Sequence, residues 1–594
     1  MPTLPLIRLL ATCCLALCAL LPAQAADKVD AAQTRRLHAF FDARWETLMK
    51  MFPEWATYLG DNRYGDRLRD ASPAAIAANF ADTRRTLAHA RAFRRTGLSA
   101  NDRTSLDVFI DQHEDWLRLE PFVGFRSMSL GALDGFQSDF SSLLQSSPVE
   151  RRAQVEQVLA RMAAYPRRVD QELALLREGM ALHWVPPRSV LERVLPQIDG
   201  QLVADVDKSP FFEPFTRLGK DIAAADQEAL RQRGREAIAT QVEPALRKLR
   251  AFVDGEYLAA APASGALASY PDGAAVYAAK VQSNTTLKLT AAQIHAIGLR
   301  ETTRLRGEME AVMREMKFDG SFTAFNTWLN TDPKFFHTSP EALLAGYRDI
   351  AKRLDAELPR LFANLPRATY GIRPMPAHFS SDRAEYYNGP ALDGSRPGWF
   401  NANGQAFAKR PIWSMETLVA HEAVPGHHLQ IARAIELGEL PRFRRGGGYT
   451  VYAEGWALYA ETLGFDLGLY KDPASRFGHL QDQALRAARL VVDTGIHALG
   501  WSRQQAIDTM VESTGEPLAY VASEIDRYTS DPGQALAYMI GELKIIELRD
   551  RAKARLGERF DIRQFHSVVL DQGSVPLPVL ERGVDAWLAK AGRR

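Results

Sequence analysis

The stretch HEAVPGHHLQ, residues 421–430, interrupts an otherwise helical part of the sequence, in which METLVA precedes it and IARAIEL follows it. Proline inside a helix removes one backbone hydrogen bond and clashes with the preceding turn, and glycine tolerates the distorted backbone that results. The pair Pro425-Gly426 therefore predicts that the helix bulges or kinks at this point.

The spacing of the histidines in this stretch decides whether they can share a metal ion. The commonest zinc motif, H-E-x-x-H, places two histidines one turn apart on one helix face. Here His427 follows His421 by six residues and His428 follows it by seven. In a regular helix neither pair converges, because His427 points to another face and His428 lies ~10 Å farther along. A two-residue bulge makes His421 and His427 equivalent to an i, i+4 pair. We therefore expect these two to bind the metal, and His428 to face elsewhere beside the site, as a candidate substrate-binding residue.

The following helix offers the remaining groups of a catalytic zinc site, which has three protein ligands and one position open to water. VYAEGWALYAE lies beyond a triple-glycine loop and supplies Glu454 as the candidate third ligand. Glu461 is on the same helix face and is the candidate partner for a ligand histidine. Glu422, next to the first ligand, is the candidate general base. The pattern predicts a site for one Zn²⁺ per chain.

A second patch, LRAARLVVDTGIHALGW, carries polar residues at helical spacing. Arg489, Asp493 and His497 fall at positions i, i+4 and i+8, on one helix face. One interpretation is a role in the site, with Asp493 supporting a neighbouring group. The alternative is a structural stripe of ion pairs.

A third patch, EIDRYTSDPGQALAYMIGELK, contains Arg527, Tyr528 and Tyr538. These residues offer a cation for a substrate carboxylate and two phenols that could hydrogen-bond an oxyanion. Tyrosines on amphipathic helices are mostly core residues, so the patch by itself is a weak indication.

The N-terminus is typical of an exported protein. The apolar run Leu9–Leu21 is too short to span a bilayer, and Ala23-Gln24-Ala25 is a small-x-small cleavage site. Residues 1–25 are therefore predicted to be a signal peptide, which places the product in the periplasm or outside the cell. A lipoprotein is the alternative, but Leu17 stands before Cys18 where a lipidation site requires a small residue.

The composition of the 594-residue chain excludes several classes of protein. The net charge of +1 gives no basic footprint for nucleic acid. No stretch after the predicted signal peptide approaches the ~18 apolar residues of a membrane span. All three cysteines lie within the predicted signal peptide, so the mature chain is expected to contain neither disulfides nor zinc-thiolate sites.

Helical periodicity dominates the chain and predicts a mainly α fold. In ERRAQVEQVLARMAAYPRR the apolar residues recur at helical spacing, and Pro166 is expected to end the helix. The clearest strand pattern is the short segment PGWFNAN, residues 397–403.

One shift in composition suggests a domain boundary. The segment AAAPASGALASYPDG, residues 259–273, bears Pro and Gly and is nearly uncharged. We interpret it as a linker or loop between an N-terminal helical half, residues 26–258, and a C-terminal half, residues 274–594, that carries the metal site. A surface loop inside a single domain is the alternative.

Several of these motifs together resemble one bacterial family. HEAVPGHHLQ, EGWALYAE, RLVVDTGIHALGW and RYTSDPGQALAYMIGELKI resemble the "domain of unknown function 885" proteins, and the resemblance covers nearly all of the mature chain. That family looks like a branch of the HExxH-type zinc metallopeptidase superfamily. The resemblance implies a large two-lobed helical fold with a small β segment beside a deep channel and zinc at its floor. By position it assigns His421 and His427 to the metal, Glu422 to the base and Glu454 to the third ligand.

The resemblance and the residues together suggest an exported zinc-dependent peptidase whose substrates are short peptides. Glu422 would accept a proton from the attacking water, and Tyr538 or His497 would stabilise the oxyanion. Arg527 or Arg489 would bind a substrate carboxylate, as a carboxypeptidase or dipeptidase requires.

The peptide backbone is also expected to pair with the PGWFNAN segment as an added strand. Two alternatives remain open at this point. One is a metal-dependent hydrolase of a non-peptide or cell-wall amide, and the other is an exported protein that binds peptides without cleaving them.

Overall fold

The structure, a computed structural model, describes residues 29–375, 384–438 and 440–592. The predicted signal peptide lies outside the described residues. Helices dominate the rest, and the described strands form one three-stranded sheet, so the mainly α prediction is confirmed. No helix in the described part of the chain is long and apolar enough to cross a membrane.

Five helices at the start of the described chain pack into the main hydrophobic core. They are α1 (Ala31–Met51), α2 (Pro53–Tyr58), α3 (Pro73–Arg91), α4 (Ala100–Arg118) and α5 (Val123–Arg126). Phe41 of α1 and Phe109 of α4 each pack against Phe443, and their ring centroids lie 5.0 Å and 5.3 Å from its ring centroid. The first helices therefore pack with the C-terminal part of the chain.

A second core is built only from residues between Leu130 and Tyr257. Its helices are α6 (Phe136–Ser146), α7 (Arg152–Ala181), α8 (Arg188–Asp199), α9 (Glu213–Thr216), α10 (Ala224–Ala237) and α11 (Glu243–Phe252). The expectation that Pro166 ends its helix is wrong, because α7 continues through it. Tyr165 and Val169, on either side of the proline, are both buried in this core, and their packing offsets the one hydrogen bond that proline removes.

The predicted boundary at residues 259–273 coincides with the end of the second core. The segment is a loop with one 3₁₀ turn, Leu267–Ser269, and it is held in place at both ends. The Pro262 carbonyl accepts from the Arg188 amide at 3.0 Å, and the Tyr270 hydroxyl donates to the Val185 carbonyl at 2.7 Å. The helices before residue 130 belong to the main core, together with helices that follow this loop.

The C-terminal part supplies the rest of the main core and a third, small core built from residues between Ala266 and Ala535. Its first helices and strands are α12 (Gly273–Thr285), α13 (Ala291–Glu315), α14 (Phe322–Thr331), α15 (Pro340–Glu357), β1 (Tyr370–Pro374), β2 (Tyr386–Asn388) and β3 (Gly398–Ala402). They are followed by α16 (Met415–Glu422), α17 (His427–Glu436), α18 (Arg442–Gly446), α19 (Thr450–Thr462), α20 (Pro473–Leu499), α21 (Arg503–Thr514), α22 (Leu518–Ser530), α23 (Ala537–Leu556), α24 (Ile562–Leu570) and α25 (Leu577–Ala591).

The small sheet has the strand order β1-β3-β2. Strand β3 pairs in parallel with β1, Ile372 opposite Phe400, and antiparallel with β2, Tyr387 opposite Phe400. The PGWFNAN segment is thus a strand, as predicted. However, the expected addition of a peptide strand to it is wrong, because β3 is central and both of its edges are already hydrogen-bonded.

Close packing of α19 against α23 brings two of the predicted motifs together. A Cβ atom on Gly455 would lie 2.5 Å from the Cα atom of Gly541, so the two helices can touch only because both residues are glycine. Glu454 precedes the first glycine and Tyr538 lies one turn before the second. The contact therefore places EGWALYAE beside ALAYMIGELK.

Candidate metal centre

The helix that carries His421 breaks where the sequence predicts. Helix α16 ends at Glu422, and α17 begins at His427. A Cβ atom on Gly426 would lie 1.9 Å from the His421 carbonyl oxygen, so residue 426 must be glycine. The Pro425 carbonyl accepts a hydrogen bond from the Trp456 indole N–H at 2.9 Å. Helix α19 thereby satisfies a polar group inside the break, where the regular helical bonding is interrupted.

The break brings His421 and His427 into convergence. Their ring centroids lie 4.9 Å apart, with the ring planes at 90°. Glu454 Oε2 is 3.6 Å from His421 Nε2 and 3.4 Å from His427 Nε2. Donor atoms ~2.1 Å from a tetrahedral zinc ion lie about 3.4 Å from one another, so these spacings fit three ligands of one ion. Within the described residues this is the one cluster of three potential ligands.

The polar atoms of the cluster also fit a cation. Glu454 Oε2 faces both nitrogens, is buried and makes no hydrogen bond among the described residues. Burial would raise the pKa of Glu454, but His427 and His421 lower it well below its usual range. Burial would lower the pKa of His421, but Glu454 and Glu461 raise it to about 10. The carboxylates of the cluster therefore favour a positive charge beside them, and a divalent cation would supply it.

Glu461 lies behind the first histidine. Its Oε1 atom is 2.7 Å from His421 Nδ1, and its Oε2 atom accepts from the Thr417 hydroxyl at 3.0 Å. The carboxylate is fully buried. It holds the Nδ1 proton and so directs Nε2 of His421 towards Glu454, which is the arrangement that a ligand histidine needs.

Glu422 follows His421 at the end of α16 and is buried. Burial raises the pKa of its carboxyl, while His427 and His421 oppose that shift. A carboxylate of raised basicity beside a metal cluster can accept a proton from water.

His428 faces away from the cluster, as the bulge predicts. Its Nδ1 atom lies 2.7 Å from the Tyr387 hydroxyl, and Nε2 lies 3.1 Å from the Ala368 carbonyl. Burial lowers its pKa to about 4. Both ring nitrogens are engaged in joining α17 to the sheet, so the structure offers no free nitrogen for the predicted contact with substrate.

Asp493 and His497 also have their polar atoms occupied. Asp493 accepts from the Tyr277 hydroxyl at 2.6 Å and from the Gly533 amide at 3.0 Å. The Leu267 amide donates to Nδ1 of His497 at 3.3 Å, and Nε2 lies 3.1 Å from the Tyr528 carbonyl. These contacts join α20 to α12, to α22 and to the segments that contain Leu267 and Gly533. They leave His497 no free nitrogen for an oxyanion and give Asp493 no contact with a ligand histidine.

Arg489, Arg527 and Tyr528 converge on Glu524, a carboxylate that was not singled out from the sequence. Arg489 Nη2 and Arg527 Nη2 donate to Glu524 Oε2 at 2.8 Å and 2.9 Å, and the Tyr528 hydroxyl donates to the same oxygen at 2.6 Å. Two guanidinium groups thus share one carboxylate. Arg489 is buried, and its Nη1 atom has no partner among the described residues. The cluster therefore has positive charge and donors to spare.

Tyr538 neighbours the arginine cluster and lies on α23, which packs against the helix that carries Glu454. Its ring is 4.5 Å from the guanidinium carbon of Arg489. Burial raises the pKa of its phenol, and the negative charge of Glu454 raises it further. Gln534 donates to its hydroxyl at 3.4 Å. Of the two predicted phenols, Tyr528 is enclosed and Tyr538 is half-buried, so Tyr538 is the one that a substrate can reach.

Arg486 is a site residue that the sequence interpretation missed. It pairs with Asp482 one turn earlier on α20, and it opposes the raised pKa of Glu422. The available signal was its spacing, since Asp482, Arg486 and Arg489 share a helix face with Asp493.

The fold and the cluster define a large helical protein with a candidate His-His-Glu metal centre at a helix break. Residues 53–584 match the family described as "Bacterial protein of unknown function (DUF885)". The chain belongs to this family.

Two solved structures resemble the fold. One is described as "the putative lipoprotein from Colwellia psychrerythraea". It is 28% identical, with a TM-score of 0.88, over 94% of this chain and 99% of that chain. The other, "a putative lipoprotein of unknown function from Shewanella oneidensis", is 17% identical, with a TM-score of 0.70, over 92% of this chain and 99% of that chain, and it supports the fold alone. No curated protein matches the chain.

Proposed function

We propose that the protein is an exported zinc-dependent peptidase that hydrolyses short peptides. The observation that carries the proposal is the convergence of His421, His427 and Glu454 beside the buried carboxyl of Glu422. A bound zinc ion would polarise the scissile carbonyl and acidify a water molecule.

The side chains around the cluster have separate tasks in this proposal. Glu422 accepts the proton of the attacking water and passes it to the leaving amine. Glu461 holds His421 in the orientation in which Nε2 faces the ion. The Tyr538 hydroxyl donates to the oxyanion, since it is the reachable phenol near Glu454.

The arginine cluster supports a substrate with a free carboxylate. Arg489 is held by Tyr528 and Glu524 through Nε and Nη2, which leaves Nη1 to donate. A carboxylate placed there would form charge-assisted hydrogen bonds beside Arg527. This geometry favours a carboxypeptidase or dipeptidase over an enzyme that cuts in the middle of long chains.

Export is supported by the apolar N-terminal segment and by the description of the similar structure from Colwellia psychrerythraea as a putative lipoprotein. Mass spectrometry of the protein recovered from its native host distinguishes a cleaved exported protein from a lipoprotein. A chain that begins at Ala26 indicates cleavage, and a diacylated Cys18 indicates a lipoprotein.

Metal content and hydrolysis are measured on the purified mature protein to test the enzyme. We expect about one zinc per chain, and we expect Glu422→Gln to retain zinc and lose peptide hydrolysis, whereas His421→Ala loses both. A variant Glu422→Gln that hydrolyses peptides at the wild-type rate would refute the assigned base. A zinc-bound protein that binds peptides and cleaves none would be the binding protein instead, and one that cleaves only other amides would be the non-peptide hydrolase.

A further inference from the structure

A cavity of 1530 Å³ lies between segments that precede residue 220 and segments of the C-terminal part. Residues 57–63 and parts of 145–157 line it on one side, and residues 387–393 and parts of 430–453 line it on the other. Gln430, Ile431 and Ala434 of α17 face it, at three, four and seven positions after His427. Residues at that spacing share one helix face, so the cavity runs along the face that carries His427.

The charged residues of the cavity wall are mostly cations. They comprise six arginines, Arg63, Arg151, Arg217, Arg373, Arg396 and Arg445, and three acids, Asp61, Glu150 and Asp393. The whole chain has a net charge of +1, so this excess is local. Charge of one sign in a concave wall raises the local concentration of ligands with the opposite sign.

Three of the arginines have no carboxylate partner among the described residues. Arg373 donates to the side-chain oxygen of Asn401 at 2.8 Å, and Arg396 donates to the Gly389 carbonyl at 2.8 Å. Arg445 is half-buried, forms no hydrogen bond, and has a buried Nε atom without a partner. Burial lowers the pKa of Arg373, and Arg396 lowers it further, because the two cations lie near one another. A guanidinium that is partly removed from water without a counter-ion is poised to bind an anion.

The floor of the cavity offers a further polar group. Gln430 is buried, and its Oε1 atom has no hydrogen-bond partner in the described part of the chain. An amide in this position can accept from a peptide N–H group. The wall therefore combines a group suited to peptide backbone with cations suited to carboxylates.

We propose that this cavity binds an acidic segment of the peptide substrate, with Arg373, Arg396 and Arg445 pairing with its carboxylate side chains. The inference rests on the proposed peptidase function. The cavity is distinct from the arginine cluster around Glu524, which would bind one carboxylate beside the metal. The cavity is enclosed by two parts of the protein, and this fits a short extended chain better than a long nucleic acid.

Binding is measured by calorimetry on zinc-loaded Glu422→Gln protein, which is expected to bind substrate without turnover. The probes are a glutamate-rich peptide and its glutamine counterpart of equal length. We expect the acidic peptide to bind about tenfold more tightly at low salt, and the difference to shrink as salt is added. Arg445→Gln should remove most of that preference, Arg373→Gln should reduce it, and Arg445→Lys should restore part of it. Arg85→Gln, an exposed arginine on α3, is the matched control and should change nothing.

The outcomes distinguish this inference from the proposed function. Equal affinity for both peptides, or Arg445→Gln behaving like Arg85→Gln, would overturn the cavity proposal, even if wild-type protein hydrolyses the glutamine peptide. A clear preference for the acidic peptide that depends on Arg445, with no hydrolysis of either by the wild type, would support the cavity and refute the peptidase. Tighter binding of a single-stranded oligonucleotide than of either peptide would also overturn it.

Discussion

Replacing Gly426 with alanine should destroy the metal centre without touching any ligand. The new Cβ atom would meet the carbonyl oxygens of His421 at 1.9 Å and of Ala420 at 2.5 Å, and real Cβ contacts are essentially never below 3.0 Å. Because both neighbours are backbone atoms, the chain must move by 3.0 − 1.9 = 1.1 Å or more. Donor distances in a metal site tolerate only about ±0.2 Å. The shift therefore separates His421 from His427, and zinc affinity should fall by more than about a hundredfold.

The assay is a competition titration of metal-free protein against a zinc chelator, with zinc content measured by mass spectrometry. Gly438→Ala is the matched control, since a Cβ atom there meets nothing within 4 Å. Overpacking costs about 1–3 kcal/mol, so Gly426→Ala should still fold, and its circular dichroism should match that of the control. Wild-type zinc affinity in a folded Gly426→Ala protein would refute the reasoning that the break positions the ligands.

Four further changes test other parts of the structure. Glu461→Gln should lower zinc affinity roughly 10–100-fold, because the charged partner of His421 is lost. Glu542→Gln should change the affinity little, since burial raises the pKa of that carboxyl to about 8 and it is already neutral at pH 7. Arg489→Gln should raise the KM about tenfold for peptides with a free C-terminal carboxylate and leave peptide amides unaffected, and an equal effect on both would contradict a carboxylate subsite. Burial lowers the pKa of His566 to about 4, so the folded state binds fewer protons than the unfolded state between pH 6.5 and 4. The free energy of unfolding of the wild type should therefore be highest above pH 6.5 and should fall by about 2 kcal/mol at pH 5 through this group. Urea unfolding at pH 7 and pH 5 should show a smaller fall for His566→Gln than for the wild type.

The helix break could be predicted from the sequence because its cause is local. Proline and glycine act on the backbone within one turn, and the registers of His421, His427 and Glu454 follow from counting residues along helices. The pairing of Glu461 with His421 follows from the same register, once α19 returns beside α16.

The surroundings of His428 and His497 could not be predicted in this way. His428 is held by Tyr387 and by the Ala368 carbonyl, and His497 by the Leu267 amide. These partners come from segments that are distant in sequence, and helical spacing carries no information about them. A histidine whose helical position points towards a site can therefore have both of its ring nitrogens engaged in structural hydrogen bonds.

The packing of the first helices within the main core could not be predicted either. The apolar faces of α1 and α4 are predictable, but their partner is not. Phe41 and Phe109 pack on Phe443, some four hundred and three hundred residues away in the chain, so the first helices complete the core that supports the metal centre. A division of the chain by composition alone misses this contact.

The charges around the centre are separated in space, and under the proposed function this separation orients the substrate. Glu454 belongs to the metal cluster and Glu422 follows its first histidine, while the Arg489 guanidinium lies beside the Tyr538 ring. Among the described residues, Arg489 and Arg527 form ion pairs with Glu524 alone. With Zn²⁺ bound, the charge of the ion offsets those two carboxylates, so under the proposed function the arginines are the groups that attract a substrate carboxylate. The scissile carbonyl of such a substrate then lies on the metal side of Tyr538, within reach of its hydroxyl. Exchanging the carboxylate for an amide removes this attraction, so the comparison of free and amidated peptides tests the orientation as well as the affinity.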